Sequence, residues 1–327
     1  MDMTLYPLLF EPIYKDYIWG GGRIPGMFGR SPRPGATCAE SWEITDRPEG
    51  ISIVSNGPAR GASLHKLVET MGTSLTGTSS KSGHFPLLIK IIDAKERLSV
   101  QVHPDEHTAA LCGGEPKTEM WYVLGAEHGA RIFAGVKAGT TSDSFTRALE
   151  KKQIEELLPS MKAEIGNAVY VPGGRLHAIG EGCLLLEVQQ NSDTTYRVYD
   201  WGRAGKDGKP RELHIEKALK VINWKDNVVT PIKPGKPAKT GSNSFSEIVR
   251  CPFFVVTRLD LTKQETITND GRSFHALFTV SGEIDVEGNG IRERLGPGTS
   301  CLLPAALNSY TITPVQGSAA VIRTSLV

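Results

Sequence analysis

Apolar and polar residues alternate over short runs through most of this chain, and helical spacing of three to four residues appears in only a few places. The runs 167–172, Cys183-Leu-Leu-Leu-Glu-Val-Gln189 and Thr194-Thr-Tyr-Arg-Val-Tyr199 are rich in branched and aromatic residues and read as strands. From Phe245 onward the same texture continues to the end. Helices are expected after Ser63, which can cap Leu64-His-Lys-Leu-Val-Glu69, and from Pro104 to Leu111, with the proline in the first turn. Two more are expected from Ser142 to Leu158, ended by Pro159, and from Leu213 to Asn223. The segment 230–244 is rich in proline, lysine, glycine and serine and reads as an exposed connection. The pattern therefore predicts a mainly β protein of two jelly-roll barrels with a few helices: a catalytic domain at 1–229, a linker at 230–244 and a second domain at 245–327.

Two stretches share one glycine-proline frame. The first is Gly166-Asn-Ala-Val-Tyr-Val-Pro172-Gly-Gly174-Arg-Leu-His177, and the second is Gly298-Thr-Ser-Cys-Leu-Leu-Pro304-Ala-Ala306-Leu-Asn-Ser309. Upstream of the first lie Gln101-Val-His103 and Glu119, the latter six residues before Gly125; six residues before Gly282 the second copy has Ala276. Side chains alternate along a strand, so Gln101 and His103 point to one face, and Glu119 and His177 would join them from other strands. Two imidazoles, a carboxylate and an amide oxygen suit zinc, and also manganese, cobalt or iron. Only the first domain is expected to carry a metal site, with positions left open for water or substrate.

Composition narrows the partners. The 327 residues are 39% hydrophobic and 22% charged, enough for a large core, and the formal net charge is +1 without a long basic run. Neither nucleic acid nor a membrane is expected as a partner. The first residues carry an early acid and no basic segment ahead of an apolar one, so no signal peptide is expected. Cys38, Cys112, Cys183, Cys251 and Cys301 are odd in number and lack CxxC spacing, which suits reduced thiols in the cytoplasm. Trp19, Trp42 and Trp121 are expected to pack in the core.

The double frame resembles the cupin superfamily. Together with Lys15-Asp-Tyr-Ile-Trp-Gly-Gly21, Glu40-Ser-Trp-Glu43, Phe85-Pro-Leu-Leu-Ile-Lys90, Leu98-Ser-Val-Gln-Val-His-Pro-Asp105, Lys117-Thr-Glu-Met-Trp-Tyr122 and Asp193-Thr-Thr-Tyr-Arg-Val-Tyr-Asp-Trp-Gly-Arg203, it is similar to the short bacterial type I mannose-6-phosphate isomerases. Thr118 stands where that family commonly has proline. The resemblance implies one zinc per chain on Gln101, His103, Glu119 and His177, with Arg197 as a catalytic arginine. It implies that Lys90, Ser99 and Arg203 hold the substrate, a small sugar phosphate. The expected reaction is aldose–ketose interconversion of mannose 6-phosphate and fructose 6-phosphate through an enediol, by a monomer or homodimer. Lys117, Glu187 and Asp193 stay open as the proton-transfer base. A sugar-phosphate-binding cupin without catalysis, a cupin acting on another sugar phosphate, and an iron dioxygenase are the competing readings.

Overall fold

The computed structural model describes residues 5–30, 38–81, 83–205, 207–227, 229–232 and 234–327. Residues 1–4, on which the expectation about a signal peptide partly rests, lie outside the described residues, as does position 233 of the expected linker. The chain forms two compact units, each assembled from separated segments: Met1–Ile13, Trp42–Lys90 and Lys233–Val327 make one, and Tyr14–Ser41 and Ile91–Ile232 make the other.

In the second of these units, Cys183–Gln190, Glu119–Ala126 and Ala168–Val171 are neighbouring antiparallel strands. A five-stranded sheet runs Tyr196–Tyr199, Val100–Val102, His177–Ile179, Arg131–Ala134, Ser160–Lys162. One face of this sheet is greasy because Val100, Val102, Ala178, Tyr196 and Val198 all point the same way, onto Phe145, Ile154, Ala218 and Val221 of the helical segments. Period-two alternation then leaves Gln101, His177 and Arg197 on the opposite face. The other strands close a separate cluster with Trp121, Val123, Val169, Val171 and Leu185.

The C-terminal part of the other unit repeats the plan. A six-stranded sheet runs Ala238–Thr240, Asn243–Arg250, Val255–Leu261, Ala319–Ser325, His275–Ser281, Ser300–Leu303, and a four-stranded sheet runs Glu265–Thr268, Ser309–Pro314, Ile284–Gly288, Ile291–Leu295. Leu259, Leu277, Ile284, Val286, Leu303 and Val321 fill its interior. Within the segment expected as a connection, Ala238–Thr240 is an exposed strand paired with Asn243–Ser244 and Phe245.

The helices differ in detail from the sequence expectation. Ser63 caps Leu64–Met71 as expected, accepting from Lys66 N–H. The helix near His103 is Glu106–Cys112: Asp105 caps it through a reciprocal box with Thr108, so Pro104 precedes the cap instead of occupying the first turn. The expected helix from Ser142 to Leu158 stops at Glu150, and a 3₁₀ turn, Ile154–Leu157, follows it. Between them Lys152 has φ of 57°, which no α-helix accommodates. The last helix is Ile215–Val221. Trp19, Trp42 and Trp121 are buried, as expected. No helix among the described residues is long and apolar enough to cross a membrane.

Candidate active site

Strand register builds the site. Gln101 sits opposite His177 on one neighbouring strand and opposite Arg197 on the other, so the three form one row across a sheet. From the Glu119–Ala126 strand comes Glu119, whose Oε1 is 3.5 Å from His177 Nε2 and whose Oε2 is 3.5 Å from His103 Nε2. The imidazole centroids are 4.8 Å apart. All three side chains are essentially excluded from solvent.

Both imidazoles are held by their other nitrogen. His103 Nδ1 is 2.7 Å from the Thr194 carbonyl and His177 Nδ1 is 2.9 Å from the Arg175 carbonyl. A carbonyl only accepts, so each Nδ1 carries the proton and each Nε2 presents a lone pair toward Glu119. Burial pushes the His177 imidazole down to about 4, against the pull of the Arg175 carbonyl, which keeps it neutral at ordinary pH. This is the way metal-ligating histidines are fixed. Gln101 places Nε2 3.3 Å from His177 Nε2 and accepts at Oε1 from Ser99 Oγ at 3.1 Å. A half-turn of the amide exchanges these roles, aiming Oε1 at the histidines while the Ser99 hydroxyl accepts from Nε2.

Glycine makes the loop after Pro172 possible. Gly174 has φ of 87° and donates to the His103 carbonyl at 2.8 Å. A Cβ on Gly173 would stand 2.7 Å from Asp105 Cα, closer than real contacts allow. Arg175 anchors the same loop, with Nε and Nη2 on the Asp226 carboxylate at 2.6 and 2.8 Å and Nη1 donating to the Tyr170 carbonyl.

Lys117 and Glu187 join the cluster. Lys117 Nζ is 3.1 Å from Glu119 Oε2 and 4.0 Å from Glu187 Oε1, and both side chains are buried. Trp121 Nε1 donates to Glu187 Oε2 at 2.8 Å, and its ring meets His177 edge-on. Asp193 is exposed, with its backbone N–H donating to Glu115, and the structure does not bring its carboxylate into this group. Ser99 is buried beside Gln101, and Lys90 is buried on the strand Leu87–Ala94.

Arg197 is half-buried; its Nη1 donates to the Glu212 carbonyl at 2.9 Å, and its Nε meets no acceptor among the described residues. Burial, with the nearby Arg211 and Arg203 charges added, lowers its affinity for a proton. Arg203 is committed elsewhere, to Asp200 Oδ1 at 2.7 Å and to the Arg97 carbonyl. Arg211, which the sequence reading passed over, grips Asp200 with Nε on Oδ2 at 2.7 Å and Nη2 on Oδ1 at 2.5 Å. Its only sequence signal was a cation just before an expected helix, a common surface pattern. Arg203 and Arg211 share the buried Asp200 carboxylate, Arg197 lies near enough to feel both charges, and Glu96, 3.7 Å from Arg203, adds a further acid to the group.

The second frame lacks this constellation. By pairing, Glu119 lies opposite Val171, and the residue opposite the equivalent Leu303 is His275, not Ala276. Counting back from glycine misses by one because Gly125 and Gly282 stand at different distances from a bulge that follows both strands' fifth residue step. Ser309, at the place of His177, is exposed.

Comparison with known proteins shows what the chain is similar to. Residues 8–145 match the family described as phosphomannose isomerase type I, catalytic domain, and residues 245–326 match mannose-6-phosphate isomerase, cupin domain. A probable mannose-6-phosphate isomerase of Bacillus subtilis is 35% identical over 94% of this chain and 96% of its own length. A mannose-6-phosphate isomerase of Streptococcus mutans is 39% identical over 78% of this chain and 79% of its own. The crystal structure of the mannose 6-phosphate isomerase from Bacillus subtilis superposes with a TM-score of 0.87 at 32% identity, covering 97% of this chain and 99% of that one.

Proposed function

The chain belongs to the type I mannose-6-phosphate isomerases, a family of cupin fold, and from that premise we propose that it interconverts mannose 6-phosphate and fructose 6-phosphate with one zinc at the His103, Glu119 and His177 cluster. The observation that carries the reading is the buried Glu119 carboxylate 3.5 Å from the Nε2 atoms of two histidines whose protons are tied down at Nδ1. Two imidazoles, a carboxylate and the Gln101 amide oxygen are a donor set that fits zinc. When bound, zinc supplies Lewis acidity that favours negative charge on the sugar oxygens.

The remaining work falls to side chains. A proton leaves C2 of the open-chain aldose as O1 takes one, giving an enediol; a proton delivered to C1 as O2 gives one up yields the ketose, so nothing is consumed. Lys117 and Glu187, 4.0 Å apart and buried, are our choice for the pair that removes and returns it. The Trp121 indole holds one Glu187 oxygen and leaves the other toward Lys117. Arg197 offers a permanently charged donor on the same sheet face as Gln101 and His177, suited to an oxyanion or to phosphate. Arg203 and Arg211 add to the field felt by the phosphate while Asp200 holds them. The five cysteines, all unbridged, support a reducing compartment such as the cytoplasm.

The test is a coupled assay for fructose 6-phosphate formed from mannose 6-phosphate, on protein stripped by a chelator and resupplied with zinc. Activity that disappears and returns with zinc is the expected result. Absence of turnover in the zinc-loaded protein overturns the reading in favour of sugar-phosphate binding without catalysis.

A further inference from the structure

A second group of metal-type donors lies in the other compact unit. Asp46, on the short strand Asp46–Arg47, is buried, and its carboxylate faces two imidazoles. His65 Nδ1 is 3.1 Å from Asp46 Oδ1 and 3.4 Å from Oδ2, and His84 Nδ1 is 3.7 Å from Oδ2. The two rings stack with centroids 5.1 Å apart and planes 28° from parallel. One ligand atom from each of the three side chains falls within 4.8 Å of the others. Donors about 2.1 Å from an ion in a tetrahedral site lie roughly 3.4 Å from one another, close to the two separations that Asp46 Oδ2 already keeps from the two imidazoles.

The surroundings hold the group in the manner of a metal site. Phe85 N–H donates to Asp46 Oδ2 at 2.9 Å and fixes the carboxylate plane. His65 lies in the first turn of the helix Leu64–Met71, and its far nitrogen, Nε2, is 3.5 Å from Glu69 Oε1, one turn along. A carboxylate behind the distal nitrogen orients an imidazole whose other nitrogen binds a cation. His65 is partly exposed and His84 largely so, which gives an ion a path in and leaves a position for water.

We propose that Asp46, His65 and His84 form a second site for a first-row transition dication such as zinc, cobalt or nickel, separate from the isomerase centre. Two imidazoles and one carboxylate with an open position favour these ions over magnesium or calcium, which prefer all-oxygen shells. A bound ion there ties the helix Leu64–Met71 to the chain entering the strand Leu87–Ala94. The reading does not rest on the proposed isomerase activity.

The experiment is calorimetric titration of chelator-stripped full-length protein with zinc, repeated with cobalt followed by visible absorption. His65→Ala and His84→Ala remove accessible ligands and leave the Asp46 contact to Phe85 N–H in place. Each is expected to weaken one of the binding events of the parent protein at least about tenfold, while His103→Ala retains that event. The event should also raise the melting temperature of the parent protein and not of the His84→Ala variant. Titrations of both variants that match the parent protein, or an event that His103→Ala abolishes as well, overturn the proposal.

Discussion

The two glycine-proline frames show one strand-turn device with and without a cluster of buried donor side chains beside it. Each frame supplies a strand, Ala168–Val171 or Ser300–Leu303, and a following strand, His177–Ile179 or Ser309–Pro314. In the first, the loop between them donates from Gly174 to the His103 carbonyl and needs glycine at 173 to lie against Asp105. In the second, Ala305 and Ala306 donate to the carbonyls of Leu75 and Ser74 at 3.0 and 2.9 Å, with room for both methyl groups. Where Glu119 faces two histidines, His275 instead faces Tyr310 Oη at 2.9 Å. Burial, aided by the Arg323 charge, pushes that imidazole down to about 3. The backbone device is shared; the difference lies in a few side chains and in how closely the loop approaches its neighbour.

The largest effect that would sharpen this contrast is at Arg197. Arg197→Ala should lower kcat/KM by about 10²- to 10³-fold while thermal unfolding and zinc content stay near those of the parent; steady-state kinetics showing near-normal turnover would remove Arg197 from the proposed mechanism. Next comes the loop. Gly173→Ala forces a methyl group onto the Asp105 backbone and should cost about 2 kcal/mol in denaturant unfolding, with weakened zinc binding. The counterpart Ala305→Gly should cost only about 1 kcal/mol and leave zinc binding alone.

A smaller effect concerns acid. His275 is neutral in the folded and the unfolded chain at neutral pH, so it contributes nothing there. As pH falls below about 6.5, the unfolded chain takes up a proton that the folded chain refuses until about pH 3, and stability drops by up to about 1.4 kcal/mol per pH unit. His275→Gln should flatten that part of the stability curve, and an unchanged slope would show that this histidine does not set it. The smallest effect is expected from Ser309→His: an exposed position opposite no carboxylate should gain no zinc, and a new tight equivalent by titration would break the comparison.

Much of this was legible before any coordinates. Strand alternation put Gln101 and His103 on one face, and the family resemblance joined Glu119 and His177 to them; among Lys117, Glu187 and Asp193 the sequence offered no choice, and only Lys117 and Glu187 sit in the cluster. The resemblance supplied Arg197 and Arg203, but the meeting of Arg203 with Arg211 through Asp200 was not legible. That meeting depends on a turn where Trp201 and Gly202 both take left-handed backbone, at φ of 58° and 71°. A bulky tryptophan there carries no local signal; it is held by tertiary contacts, its indole donating to the Leu98 carbonyl at 2.7 Å and stacking under Arg97. The shift from Ala276 to His275 was hidden because the bulge stands at the same place in both strands while the glycine used for counting lies one residue farther beyond it in the second.

The atoms that set the protons on His103 and His177 are the main-chain carbonyls of Thr194 and Arg175. Every amino acid brings the same carbonyl, so substitutions at 175 or 194 that preserve the local backbone path keep both tautomers. The tautomers are thereby read from backbone position and not from side-chain identity, and the Arg175 side chain serves them only indirectly, by steadying that backbone through its grip on Asp226.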